Sequence, residues 1–163
     1  MYRRKNPVKY IILIPFLLIL TVSGCGRNQK IEFNRLADAY VNWYLKMHPV
    51  SATQIGFHEY DGEFGKFDEE STREKLADLK RFNIEMTQID PLSLDLDHRI
   101  DYQILSSAID EMIFEITDLR VIEWNPRLVP SIIGSGIYSL IEREFAPMEK
   151  RVSSLESRLS KIP

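Results

Sequence analysis

The chain has 163 residues, of which 44% are hydrophobic and 28% charged, with a net charge of −3. This is ordinary globular composition at single-domain length and excludes disordered, collagenous and disulfide-rich classes. Residues 1–24 hold Arg3, Arg4, Lys5 and Lys9 and no acid, which leaves −7 on the rest. No basic stripe follows residue 30, so no nucleic-acid partner is expected.

Cys25 is the single cysteine, which rules out an internal disulfide and any multi-cysteine zinc site. Met1 to Lys9 is a basic leader, and Tyr10 to Val22 is a nearly unbroken apolar run of 13 residues. As a helix that run would be ~20 Å long at ~1.5 Å per residue, short of the ~30 Å of a bilayer core. It has the length of a signal-peptide core, and Pro15 weakens it as a permanent helix. The run ends in Val22-Ser23-Gly24-Cys25, which resembles the bacterial lipobox. The resemblance implies a signal peptide over 1–24, cleavage before Cys25, and lipidation of Cys25 with acyl chains such as palmitate. Two or three chains suffice for stable anchoring to a membrane, where one does not. Residues 25–30 read as a short polar tether. Position 26 is Gly and not Asp. The same resemblance then implies an outer-membrane location facing the periplasm in a Gram-negative cell, and the cell surface otherwise.

Residues 31–163 are expected to form an all-α domain of about five helices. Phe33, Leu36, Ala37, Tyr40, Val41, Tyr44, Leu45 and Met47 recur in steps of three and four, the helical period, and His48-Pro49 ends the stripe. Ser51 to Gly65 reads as a turn of helix followed by loop, with Gly56, Gly62 and Gly65 as turn residues. A second helix starts near Asp68, with either Asp68 or a Ser71/Glu74 capping box at its start. Its stripe is Leu76, Leu79, Phe82 or Asn83, Met86 and Ile89. A third helix, capped by Asp95 with Asp97 in its first turn, runs to Leu119. Its apolar face is wide (Ile100, Ile104, Leu105, Ala108, Ile109, Met112, Ile113, Ile116, Leu119), which predicts a central helix packed on more than one side. Asn125-Pro126 and Pro130 mark a break. Ile132 to Ile141 is apolar around Gly134-Ser135-Gly136, and a last helix from Ala146 to Ile162 carries the stripe Met148, Val152, Leu155 and Leu159. The chain stops at Ile162-Pro163 in the wake of this pattern, which reads as an incomplete domain.

The chemistry-bearing motifs are sparse. His58-Glu59 begins a His-Glu-x-x-His string, but four residues after His58 stands Gly62, so the helical zinc motif is absent. His48, His58 and His98 read as polar residues of loops and helix starts. Gly134-Ser135-Gly136 is too short for a nucleophile elbow, and its glycines point to close helix packing. The acids Glu142, Glu144, Asp110 and Glu111 read as solvated faces. Tyr40, Trp43 and Tyr44 read as core. No catalytic residue, no metal ligand and no cofactor is expected in this chain; Cys25 is the one expected site residue.

Several strings together resemble the amino-terminal part of a bacterial family known as domain of unknown function 885. They are Pro49-Val50-Ser51-Ala52-Thr53-Gln54-Ile55-Gly56, His58-Glu59-Tyr60-Asp61-Gly62, His98-Arg99-Ile100-Asp101-Tyr102, and Gly134-Ser135-Gly136-Ile137-Tyr138 leading to Phe145-Ala146-Pro147. The likeness spans about residues 31–163. It implies a much longer, mostly helical, exported parent, frequently a lipoprotein, whose later portion carries a His-Glu-x-x-His helix and resembles zinc metallopeptidases acting on peptides. Zinc and catalysis would then belong to that missing carboxy-terminal part, which is also the expected packing partner. The other reading is a complete small envelope lipoprotein, not an enzyme, that binds a partner or ligand.

Overall fold

A computed structural model of the chain describes the backbone from Leu13 to Ile162 and side chains from Asn28 onward. Residues 1–12 of the signal segment and every side chain up to residue 27, that of Cys25 included, lie outside the described residues. The described residues are all-α: α1 Leu13–Met47, α2 Pro49–Gln54, α3 Glu69–Thr87, α4 Leu96–Phe114, α5 Val121–Trp124, α6 Leu128–Glu142 and α7 Met148–Leu159. Five of these are longer than two turns, and no described helix is long and apolar enough to cross a membrane.

The first region is a three-helix cluster of α1, α3 and α4. Phe33, Leu36 and Tyr40 of α1 meet Leu79, Phe82 and Met86 of α3 and Leu105 and Ile109 of α4, all buried. The side chains are large and their rings meet edge-on. Tyr40 and Trp43 each approach Phe82 with centroids 5.5 Å apart, a geometry the aromatic quadrupoles favour. Trp43 Nε1 donates to Asp78 Oδ2 at 2.8 Å, so its polar edge is satisfied where its body is half-buried. Burial pushes the Tyr40 phenol up to about 12, and its hydroxyl donates to Met112 Sδ at 3.4 Å.

The caps decide the helix starts. Asp68 prevails over the Ser71/Glu74 box: its Oδ1 accepts from Ser71 N at 2.8 Å, and Glu69 and Glu70 fill the first turn. Asp95 Oδ1 accepts from His98 N at 3.0 Å. Helix α1 is already helical at Asn28–Lys30, where the sequence reads as a tether. These residues are docked: Gln29 Oε1 accepts from Asp90 N at 2.8 Å, and Lys30 Nζ lies 3.0 Å from Asp95 Oδ2.

Two expectations about α4 are corrected. The α-helix ends at Phe114, and Glu115–Leu119 forms a π turn that closes at Arg120 in the left-handed region, φ 48°. Nor is α4 covered all round. Leu105 and Ile109 are buried, but Leu96 is 68%, Ile100 47% and Ile104 63% exposed. Its apolar face is wider than the α1/α3 pair can cover.

The second region is α2, α6 and α7. The break around Asn125 holds, but Pro130 lies inside the first turn of α6, where its missing N–H has no helical partner to lose. In α7 the expected stripe is not the buried face. Met148 is 58%, Val152 42% and Leu159 44% exposed, whereas Arg151 and Arg158 are 5% and 0%. Residues 151, 154, 155 and 158 keep a helical spacing of three and four, so α7 is rotated to put its arginines inward.

Candidate functional site

The inward arginines organise a polar cluster. Arg158 Nη1 donates to Gly136 O of α6 at 2.8 Å, and Nη2 donates to Thr53 Oγ1 of α2 at 2.8 Å. Thr53 Oγ1 in turn donates to Asp61 Oδ1 at 2.7 Å. Asp61, 4% exposed, also faces His58, whose Nδ1 lies 3.1 Å from Oδ2. The guanidinium and the carboxylate therefore meet across a hydroxyl rather than directly. Burial lowers the Arg158 pKa, against the raising influence of Asp61 and Glu63. Arg158 Nε is buried without a partner, so the cluster keeps one unsatisfied donor, a cost its other hydrogen bonds must offset.

Local structure explains the convergence. Pro49 starts α2, and Gly56, φ 92°, ends it in a conformation that disfavours side chains. The chain then returns through the short 3₁₀ turn His58–Tyr60. Gly62 passes so close to α7 that an added Cβ would lie 3.0 Å from Ser157 Oγ, and Ser157 Oγ donates to Gly62 O at 3.1 Å. Gly136 lets α2 approach α6: a Cβ there would lie 2.9 Å from Val50 Cγ2. Arg151 closes the far end. Its Nη1 donates to Ile141 O at 2.7 Å and Leu140 O at 3.3 Å, and its Nε to Ala146 O at 3.0 Å. The Leu140 and Ile141 carbonyls, in the last turn of α6, would otherwise lack partners. Phe145 stacks on His58, centroids 3.8 Å apart and planes 9° from parallel.

The structure thus brings together His58, Asp61, Thr53, Gly136 and Phe145 from separate strings. It sends the His98–Tyr102 string elsewhere: His98 Nδ1 engages Asp95 at 2.6 Å, and Tyr102 OH donates to Met86 O at 3.2 Å. His48 stacks on Tyr44 at 4.3 Å, and burial lowers its pKa. The three histidines have three separate environments, and among the described residues no three His, Cys, Asp or Glu side chains group to hold a metal ion. These residues do not fit a zinc centre. Ser135 Oγ donates to Ile132 O at 3.1 Å within its own helix, and no base engages it. Glu142, Glu144, Asp110 and Glu111 are exposed. Tyr40 is core, with Trp43 and Tyr44 partly buried against it. Sequence reasoning missed Arg158 and Arg151. The one signal available for them was the helical spacing of 151, 154, 155 and 158, masked by the apolar stripe beside it.

What the cluster can do chemically is hold a loop and three helices, α2, α6 and α7, at fixed distances. Its one hydroxyl beside a base, Thr53 Oγ1 on Asp61, is fully buried and also accepts from Arg158 Nη2.

No curated protein matches the chain. A solved structure of a candidate lipoprotein of unknown function from Shewanella oneidensis is similar over 78% of this chain, with 26% identity and a TM-score of 0.70. This chain spans 23% of that structure's length. The family model described as a bacterial protein of unknown function, DUF885, matches residues 49–163, which is more than half of the chain and includes every element of the arginine cluster, and the chain belongs to that family.

Proposed function

We propose that this chain is the amino-terminal helical segment of a lipid-anchored, extracytoplasmic protein of the DUF885 family, tethered through Cys25. In that reading it forms one wall of a larger helical fold whose later portion supplies zinc-dependent peptidase chemistry. The observation that carries the reading is the length relation: most of this chain superposes on less than a quarter of a candidate lipoprotein. The uncovered apolar faces of α4 and α7 support it, because exposed apolar patches mark surfaces that pack against something. The arginine cluster fits a wall that must keep its shape while its neighbours bear the chemistry.

Three measurements test it. Mass spectrometry of the cell-made product is expected to find an amino terminus at residue 25 bearing diacylglycerol on the sulfur. An unprocessed terminus with a bare thiol overturns the anchor. Genomic sequence past codon 163 is expected to continue in frame to a His-Glu-x-x-His string. A stop codon there supports the complete small lipoprotein that binds a partner instead. Residues 26–163 alone are expected to cleave no peptide, and chelator-sensitive peptidase activity from them overturns the assignment of catalysis to the later portion.

A further inference from the structure

The loop that carries Asp61 also walls a cleft of about 770 Å³ between the end of α1, the start of α3 and the end of the chain. That volume lies within the range of ~300–1,000 Å³ usual for small-molecule sites. The lining is amphipathic. Met47 and Tyr60 contribute apolar surface over the buried Pro49 and Phe64, and Lys46, Lys66, Lys75 and Lys161 stand against Glu63 and Glu74. The cleft therefore carries a positive excess of two in a chain whose residues 25–163 sum to −7.

Internal pairing does not account for the excess. Lys161 is used: its Nζ is 2.6 Å from Glu63 Oε1 and donates to Gly62 O at 3.0 Å. Lys75 is not. Its Nζ donates to the Lys66 carbonyl at 3.2 Å and lies 5.6 Å over the Phe67 ring, with no carboxylate in ion-pair range. Lys46 and Lys66 make no ion pair among the described residues. Burial depresses the Lys75 pKa, with Asp68 the opposing influence; a desolvated ammonium without a counter-charge gains most from an incoming anion. No arginine fork lines the cleft, so the chemistry is that of point charges over an apolar floor rather than bidentate phosphate capture.

We propose that this cleft binds a small organic carboxylate with an apolar body, its carboxylate on Lys75 beside Lys46 and Lys66, its body against Met47 and Tyr60. The inference is independent of the peptidase reading, since it uses only residues of this chain.

The test is a ¹⁹F NMR titration of 3-(4-fluorophenyl)propionate against the full chain in phosphatidylcholine nanodiscs, with empty nanodiscs subtracted. Saturable binding is expected. Lys75→Met should weaken it about tenfold, the loss of one charge-assisted hydrogen bond. Lys80→Met, on an exposed position of α3 outside the cleft, should leave it unchanged. The matching amide, uncharged but of the same shape, should bind about tenfold more weakly, and acetate should not displace the probe. Absence of saturable binding overturns the proposal, as does equal affinity for the amide or in Lys75→Met. If Lys75→Met does not fold, the exposed pair Lys46→Gln and Lys66→Gln decides: a loss of about threefold or more supports the site, and unchanged affinity overturns it.

Discussion

The two regions of this molecule are held by different physics. The α1/α3/α4 cluster is closed by rings and branched chains, and its few buried polar edges, such as Trp43 Nε1 on Asp78, sit at its margin. The α2/α6/α7 region has a thin apolar core, with Val50, Ala52 and Leu140 buried, and is closed by two arginines, a threonine and an aspartate that are each at most 5% exposed. An apolar core tolerates imprecise packing, because dispersion and area burial are non-directional. A polar core fails if one partner is lost, because each remaining group then lacks both water and its hydrogen bond. The second region should therefore be the more brittle, although it is smaller.

The largest expected effect tests this directly. Arg158→Ala should lower stability by about 3–5 kcal/mol, the usual cost of breaking a buried charged network from one side. Phe82→Ala should cost a similar ~3–5 kcal/mol through its cavity. The difference lies in rescue. Arg158→Met with Asp61→Asn removes both charges at nearly constant volume, and should cost less than the sum of the two single changes. Urea unfolding of the two singles and the double measures that coupling; strict additivity would show that Arg158 and Asp61 do not sense each other through Thr53.

A smaller pair of substitutions separates close packing from backbone preference within one helix. Gly136→Ala places a methyl 2.9 Å from Val50 Cγ2 and 3.4 Å from Arg158 Nη1. Overpacking of ~1–3 kcal/mol should outweigh the ~1 kcal/mol gain in helix propensity, so stability falls. Gly134→Ala meets nothing within 4 Å, so only the propensity gain remains and stability should rise by up to ~1 kcal/mol. Thermal melts of the two variants should move in opposite directions. A shared direction would mean that α2 and α6 are not in contact at Val50.

The contrast also explains what was legible in the residues. Phe33, Leu36 and Tyr40, or Leu79, Phe82 and Met86, reveal their buried face by spacing alone, because an apolar side chain carries its preference with it wherever it lies on a helix. Asp68 and Asp95 were readable as caps because their partners lie three residues away. Arg158 was not, since nothing in an arginine says that Thr53, 105 residues distant, will receive it. The exposed stripe Met148, Val152 and Leu159 misdirected the reading of α7 for the same reason: periodicity marks a face that avoids water, not which neighbour covers it. The strings that resemble the family include His58–Gly62 and Gly134–Gly136, far apart in sequence, and it is Arg158 that brings them together in space, through Gly136 O and Tyr60 O.

Between the two regions stands His48, at the junction of α1 and α2, with Nδ1 2.9 Å from Tyr44 O. Burial holds its pKa below the ordinary value, although the Tyr44 carbonyl raises it. Above ~6.5, the unfolded value, both states are neutral and the residue contributes no pH dependence. Below it the unfolded chain takes up a proton that the folded chain resists, so stability falls as pH drops through the range below ~6.5. His48→Gln should flatten the Tm profile between pH 7 and 5; an unchanged slope would place His48 in water rather than under Tyr44.

The smallest effect belongs to the aromatic cluster and gives it an acid limit of its own. The backbone N–H of His98, then the His98 ring and Lys30, hold the Asp95 carboxyl far below the usual carboxylate range. A folded-state pKa depressed in this way contributes stability that is present above the unfolded value of ~3.9 and is lost as pH falls through the folded one. Asp95→Asn keeps an acceptor for His98 N, since asparagine caps as well as aspartate, but has nothing to protonate. The variant should keep the cap but lose at pH 7 the part of the stability that the carboxylate charge supplies, and should show a correspondingly shallower fall in Tm between pH 4 and 2, with Asp68, shifted in the same direction by Ser71 N, carrying what remains of the slope. If Asp95→Asn reproduced the wild-type acid limb, the proton-sensitive element of the molecule would have to lie outside this helix start. The apolar cluster would then be as indifferent to acid as its rings and branched chains are by themselves.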